Sequence, residues 1–228
     1  IKINLTNQCC SAADRMDATP QMVNALLYEL TVNAGVNQTD ITCGDPYREF
    51  RNEYVTLVKG EFPNVYFIDG YGGNGVHKTV ASDEAVLKFS NNVTESTLPQ
   101  AYLDATYVIN MPCLKTHDVG RITLIAKNHQ GSFLPLGTDP SEQSAMAMHP
   151  YLPANSRGSG QYRHTVDYMG HEETGGKALI YIVDGIWGGE NWEGRIKKFV
   201  SAPFNNDYPN SIFIGQDPVA LESVGFDI

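Results

Sequence analysis

Basic residues are scarce in this chain. Among 228 residues there are 16 Lys and Arg against 26 Asp and Glu, for a net charge of −10. Nucleic-acid binding and adsorption to an anionic membrane surface both depend on basic surface, so the balance argues against either partner. No apolar run approaches the roughly 18–20 residues of a membrane span. Cysteine is limited to four residues, Cys9, Cys10, Cys43 and Cys113, and none forms a C-x-x-C pair. Zinc ribbons, ferredoxin-type iron–sulfur clusters and thioredoxin motifs all lack their spacing. Low-complexity tracts and internal repeats are absent too.

What remains is a globular composition, 42% hydrophobic and 18% charged, long enough for one large domain with a substantial core. Cys43 and Cys113 sit in apolar strand contexts and read as buried thiols. Vicinal Cys9 and Cys10 leave distant pairing in an oxidising compartment open. Three N-x-[ST] sequons, at Asn4, Asn37 and Asn92, add little evidence of secretion in a chain rich in Asn, Ser and Thr. The chain opens on "IKINL" without an initiator Met and closes on "ALESVGFDI", so one domain over 1–228, incomplete at one or both ends, is the expectation.

Strand and helix patterns alternate. "IKINL" (1–5) reads as a strand. Residues 19–35 read as a helix with Thr19 as N-cap, Pro20 in the first turn and Gly35 as the stop. Further strands are expected at 40–46, 64–69, 84–90, 106–112, 178–189 and 210–215. Helices are expected over 47–62, 98–105, 120–130 and the end of the chain. Continuous apolar strands between helices indicate an α/β fold: a mostly parallel, doubly wound sheet with helices on both faces. Residues 132–176, rich in Gly, Pro, Ser and His, read as a long loop insertion of the kind that serves as a lid.

Charge collects where strands end. Asp45, Asp69, Asp184 and Asp217 each follow an apolar run, and Lys115, Thr116 and His117 follow "VINMPCL". Ligands of open α/β sheets sit outside these carboxyl ends. A single Asp-Gly or Asp-Pro is more simply turn or cap chemistry; the set together suggests a site. Lys115, beside a helix expected to begin near Gly120, suits a carboxylate or phosphate. His117 suits proton transfer. If 119–130 is one straight helix, it spans about 18 Å, which keeps His117 and His129 from sharing a metal ion and places Lys127, Asn128 and His129 at a second part of a cleft. The loop "YGGNG" (71–75) lacks both dinucleotide and phosphate-loop spacing. Arg163 in "QYRH" could close over an anion. Trp187 and Trp192 read as loop anchors or, alternatively, as sugar-stacking rings.

Three motifs in order resemble the DUF362 family. They are the opening "IKINL…TPQMVNALLYEL…AGV", the central "DATYVINMPCLKTHDVGRITLIAKNHQGSF" and the closing "IFIGQDPVALESVG". The resemblance covers nearly the whole chain. It implies an α/β domain but no established reaction. By position, Lys115, Thr116, His117, Lys127, Asn128 and Asp217 match the recurrent motif residues. Some relatives carry fused iron–sulfur modules, and the cysteine spacing here does not support that chemistry. The 132–176 insertion resembles a longer, secreted bacterial branch, which implies an extracytoplasmic location.

The function expected is an enzyme acting on an anionic small molecule or sugar. Lys115 would hold the anion, His117 would move a proton, and Asp45 or Asp184 would act as partner. Thr116, Lys127, Asn128, His129, Arg163 and Asp217 would complete the ligand site. One alternative is a non-catalytic binding or assembly module. The other is a divalent-metal protein using Asp45, Asp69 and Asp184, which needs Asp69 and Asp184 close across adjacent strands. A homo-oligomer remains open.

Overall fold

Strand β1 (Lys2–Ile3) lies at the middle of the sheet, and the chain leaves it first in one direction and later in the other. The computed structural model describes residues 1–6, 16–91, 95–133, 149–155, 157–191 and 195–228. Cys9, Cys10, Asn92 and Trp192 lie outside these residues. From β1 the chain passes through helix α1 (Pro20–Tyr28) to β2 (Thr42–Gly44), through α2 (Asn52–Tyr54) to β3 (Tyr66–Asp69), and then to the edge strand β4 (His77–Lys78). Each of these strands pairs in parallel with the one before it. The two helices both continue into a wider helical turn, over Glu29–Asn33 and Val55–Lys59.

A two-stranded antiparallel sheet, β5 (Ala81–Lys88) with β6 (Glu95–Pro99), then leads into α3 (Gln100–Asp104). The chain returns to the other side of β1 as β7 (Val108–Met111), again parallel. After Pro112, β8 (Cys113–His117) runs on along the same flank and forms a hairpin with β9 (Arg121–Thr123). Two short helices follow, α4 (Ile125–Asn128) and α5 (His164–Gly170). The long β10 (Ala178–Glu190) pairs in parallel with β7 through its first half and with β8 through its second. β11 (Arg195–Ile196) and β12 (Ser211–Gly215) pair antiparallel with β10, and α6 (Pro218–Asp227) ends the chain.

The order β4-β3-β2-β1-β7-β10 is that of a doubly wound sheet, with its reversal between β1 and β7. Right-handed crossovers on either side of such a reversal put helices on both faces. The expected α/β class is therefore the observed one. The main core joins Ile3, Val23, Leu27, Cys43, Val58, Phe67, Met111, Cys113 and Val183, and Cys43 and Cys113 are buried free thiols, as expected. A second cluster, Leu87, Phe89, Leu98, Phe133 and Tyr168, fills the space around the small sheet.

Three expected elements differ. The stretch 132–176, expected as a loop, carries helix α5, and its residues 134–148 and 156 lie outside the described ones. The helix expected over 47–62 begins only at Asn52. The amides of Tyr47 and Arg48 donate to Asp45, and that of Phe50 donates to Asp69, so these residues are held in turns. The helix expected over 120–130 is instead strand β9 followed by a single helical turn. Ile122 and Thr123 are β-branched and favour the strand, and Lys115 stands opposite Thr123 across the hairpin.

Candidate functional site

The hairpin decides the geometry of the site. It turns the chain back at Val119–Gly120, so Lys127 comes to lie beside His117 rather than a helix-length away. A Cβ on Gly120 would be 3.4 Å from Lys127 Cε and 3.6 Å from His117 Cγ. The separate second part of a cleft expected for Lys127 is thus corrected: both lysines and His117 line one cleft. That cleft has a volume of about 370 Å³ and sits outside the carboxyl ends of β1, β2 and β8. Its walls come from Asn4–Thr6 after β1, Asp45–Arg48 after β2, the end of β8, and the Lys127–Gly131 segment. This is the topological switch point, where open α/β sheets take ligands.

Lys115 is 4% exposed, and its Nζ has one weak contact, 3.5 Å to the Met16 carbonyl. Burial pushes its pKa down. Gly189, paired with Lys115, makes room for it: a Cβ there would lie 2.9 Å from Lys115 Cβ and 3.0 Å from Met16 Sδ. Lys127 lies on the single turn of α4. Burial and the nearby Lys115, Arg48 and Lys2 charges lower its pKa to about 7. Among the described residues neither lysine forms an ion pair with a carboxylate. Arg48 also lines the cleft, with its guanidinium 4.6 Å from the centre of the Tyr47 ring.

His117 Nδ1 accepts the backbone N–H groups of Val119 at 3.1 Å and Gly120 at 3.0 Å. The ring proton therefore sits on Nε2, and the neutral ring is a hydrogen-bond donor. Burial first, then Lys127, His149 and Lys115, drive its pKa down to about 2. No helix starts at Gly120, so the expected help to Lys115 from a helix N-terminus is also corrected; β9 occupies that place.

Beneath the cleft floor runs a buried polar network. Lys2 Nζ donates to Asp45 Oδ2 at 3.1 Å and to Asn128 Oδ1 at 3.0 Å. Asn128 Nδ2 donates to Asn110 Oδ1 at 2.7 Å, and Asn110 Nδ2 donates to the Ile125 carbonyl. Asp45 also accepts the amides of Leu5, Tyr47 and Arg48. With Lys2 that makes four donors on two carboxylate oxygens, about the full capacity of the group. Asp45 and Asn128 do reach the cleft wall, but both are anchored from behind.

The other expected residues lie elsewhere. Asp184 accepts the Thr19 amide at 2.6 Å and the Ile186 amide at 3.2 Å, tying α1 to β10, and does not line the cleft. Asp69 accepts the amides of Phe50, Tyr71 and Gly72. β2, β1 and β7 separate β3 from β10, so Asp69 and Asp184 are not on adjacent strands. Among the described residues no group of three or more His, Cys, Asp or Glu is placed to hold a metal ion. Thr116 is exposed and accepts the Asn191 amide. His129 is fully buried against Tyr102 and Ser132, and burial lowers its pKa to about 3. Arg163 donates to the carbonyls of Tyr162 and Gly158, outside the cleft. Asp217 caps α6 through the amides of Val219 and Ala220. Trp187 packs edge-on against Tyr208, as a loop anchor does.

Lys2, Arg48, Asn110 and Gln130 belong to the site or its support and were not expected from the sequence. Two of them carry a readable signal. Lys2 in "IKINL" and Asn110 in "VINMP" are polar residues inside otherwise apolar central strands, where burial demands a partner.

Fold and cleft together define a doubly wound α/β protein with a cationic pocket at its switch point. The family described as DUF362, a domain of unknown function, matches residues 1–227, and the chain belongs to it. No curated protein and no solved structure matches the chain. No helix among the described residues is long and apolar enough to cross a membrane.

Proposed function

We propose that the switch-point cleft binds a small anion, a carboxylate or a phosphate, and that the chain acts on it as an enzyme. One observation carries this reading. In a protein of net charge −10, Lys115 and Lys127 line one cleft without an ion-pair partner among the described residues. Burying cations is costly unless a counter-charge arrives, and a bound anion supplies it. A pocket of this size suits a small molecule or a single sugar acid.

Lys115 holds the anion. His117, neutral and held by two backbone amides, presents an N–H donor. Lys127, with its pKa near neutrality, is better suited than His117 to exchange a proton. Asp45 fixes Lys2 and the β2 turn.

The saturation of Asp45 favours a second reading, binding without turnover, because it removes one proton acceptor from the chemistry. The test is thermal unfolding with inorganic phosphate, sulfate and oxalate. At a concentration about 100 times Kd a bound anion stabilises by about 2.7 kcal/mol, which raises Tm by several degrees. Lys115→Met is expected to cut that rise by about half, as a roughly tenfold loss of affinity would. Equal Tm with and without anions, in both proteins, would sink the reading. Turnover of an anionic substrate then separates enzyme from binder.

A further inference from the structure

Lys127 differs in its surroundings from the other cations in and beneath the cleft. Lys2 is paired with Asp45, and Arg48 rests over an aromatic ring. Lys127 projects from the short α4 turn, its Cε packed over Gly120, next to an imidazole that is fixed as a neutral donor. A second ammonium group, Lys115, lines the same small cleft. A half-buried lysine amine held beside other cations, with Asp118 also on the cleft wall but no ion pair to a carboxylate among the described residues, is an arrangement that can produce an amine nucleophile. A carbonyl compound with an adjacent carboxylate matches it group for group.

We propose that Lys127 condenses with the carbonyl carbon of a 2-oxo acid whose carboxylate is held by Lys115. This rests on the anion-binding reading above and names its substrate class. The amine lone pair forms a C–N bond as the carbonyl π bond opens onto oxygen. An amine proton moves to that oxygen, giving a carbinolamine, and His117 Nε2–H is the neighbouring donor to the hydroxyl. The C–O bond then breaks, and the hydroxyl leaves as water with the proton that the ammonium form released. The product is a protonated imine on Lys127. The balance is one amine, one carbonyl and one proton in, and one iminium and one water out; no oxidant or reductant takes part. The lowered Lys127 pKa supports the step, since a large fraction of the amine is uncharged near neutral pH.

The experiment incubates the full chain with pyruvate or 2-oxoglutarate and cyanoborohydride, which reduces the imine to a stable secondary amine. Peptide mass spectrometry then locates the adduct. Lys127 is expected to carry it, ahead of the exposed Lys78, Lys197 and Lys198. Lys127→Arg is expected to lose the adduct. Lys115→Met is expected to need about tenfold more oxo acid for half-labelling, the loss of roughly one charge-assisted contact. An anion-induced Tm rise with no Lys127 adduct overturns the imine and leaves anion binding standing. Loss of both the Tm rise and the adduct overturns both. Labelling spread evenly over the exposed lysines also overturns the imine.

Discussion

Glu222 Oε1 accepts the Ala126 amide at 2.6 Å, so the last helix holds the first turn of the short helix that carries Lys127. The D-P-V-A-L-E stretch is thereby explained in physical terms. Asp217 starts α6, Pro218 fits its first position, and Glu222, one turn further on, reaches α4. Gly225 lets the two helices approach, since a Cβ there would lie 2.5 Å from Leu124 Cδ1. A four-residue helix has no stability of its own; α6 and the Asn110–Asn128 bonds supply it.

Glu222→Ala is therefore expected to lower stability by about 1.5–3 kcal/mol, the range for a hydrogen bond to a charged group, and to weaken anion binding several-fold by loosening Lys127. Glu222→Gln separates the two effects. Burial raises the Glu222 pKa. A carboxyl raised in the folded state contributes stability below its unfolded pKa and loses it as pH rises through the folded value. The amide keeps an acceptor and carries no charge, so Glu222→Gln is expected to match or exceed the parent in urea unfolding at pH 7. A large loss in Glu222→Gln would show that the charge itself is needed.

Lys2 and Asp45 form a buried ion pair, and breaking one partner leaves the other uncompensated. Lys2→Met and Asp45→Asn are each expected to destabilise by about 3–5 kcal/mol, since in Asp45→Asn the amide oxygen can accept from only two of the four donors and the Lys2 charge is left unpaired. The double variant is expected to recover part of the Lys2→Met loss. Urea unfolding of all three completes the cycle. Additive losses would mean that the pair is not coupled.

Gly189 stands across from Lys115 in the sheet, and a Cβ on it would lie only 2.9 Å from Lys115 Cβ. Gly189→Ala is expected to push Lys115 and Met16 aside, costing about 1–3 kcal/mol as overpacking and lowering sulfate affinity, measured by calorimetry. Gly73→Ala serves as a control. Nothing lies within 4 Å of a Cβ there, yet its backbone angle φ is +102°, so it strains the backbone without touching the cleft. Equal sulfate affinity in Gly189→Ala would show that Lys115 does not meet the anion.

The fold was legible because central parallel strands must be apolar along their length. Runs such as "NVYFI", "TYVIN" and "LIYIV" leave few other structures open. The site was legible in part. Lys115, His117 and Lys127 stood out as cations in an acidic chain. Their common cleft did not, because 120–130 reads as a helix until tertiary pairing with β8 makes Arg121–Thr123 a strand. Asp184 and Asp69 looked equivalent to Asp45, since all three end a strand. Whether a carboxylate is free depends on amides far away in sequence; the Thr19 amide that occupies Asp184 is 165 residues distant. No local pattern encodes that distance.

The same separation of roles gives a pH test of the cleft. His117, lowered to about 2, stays neutral above pH 4, whereas Lys127, lowered to about 7, loses its charge through neutrality. Sulfate, which does not itself titrate there, is expected to bind more weakly as pH rises from 6 to 9, by up to about tenfold per pH unit for one coupled proton. Binding raises the Lys127 pKa, so the fall begins above 7. Lys127→Arg, charged throughout, is expected to flatten the profile, and His117→Gln to leave its shape unchanged. Stability follows the opposite sign. A lysine whose folded pKa is depressed contributes stability above its unfolded pKa and loses it as pH falls through the folded one. The anion-free protein should therefore lose Tm between about pH 10 and pH 6 more steeply than Lys127→Met does, and sulfate should restore it. A profile that flattens in His117→Gln but not in Lys127→Arg would assign the titration to the histidine and remove Lys127 from the centre of the site.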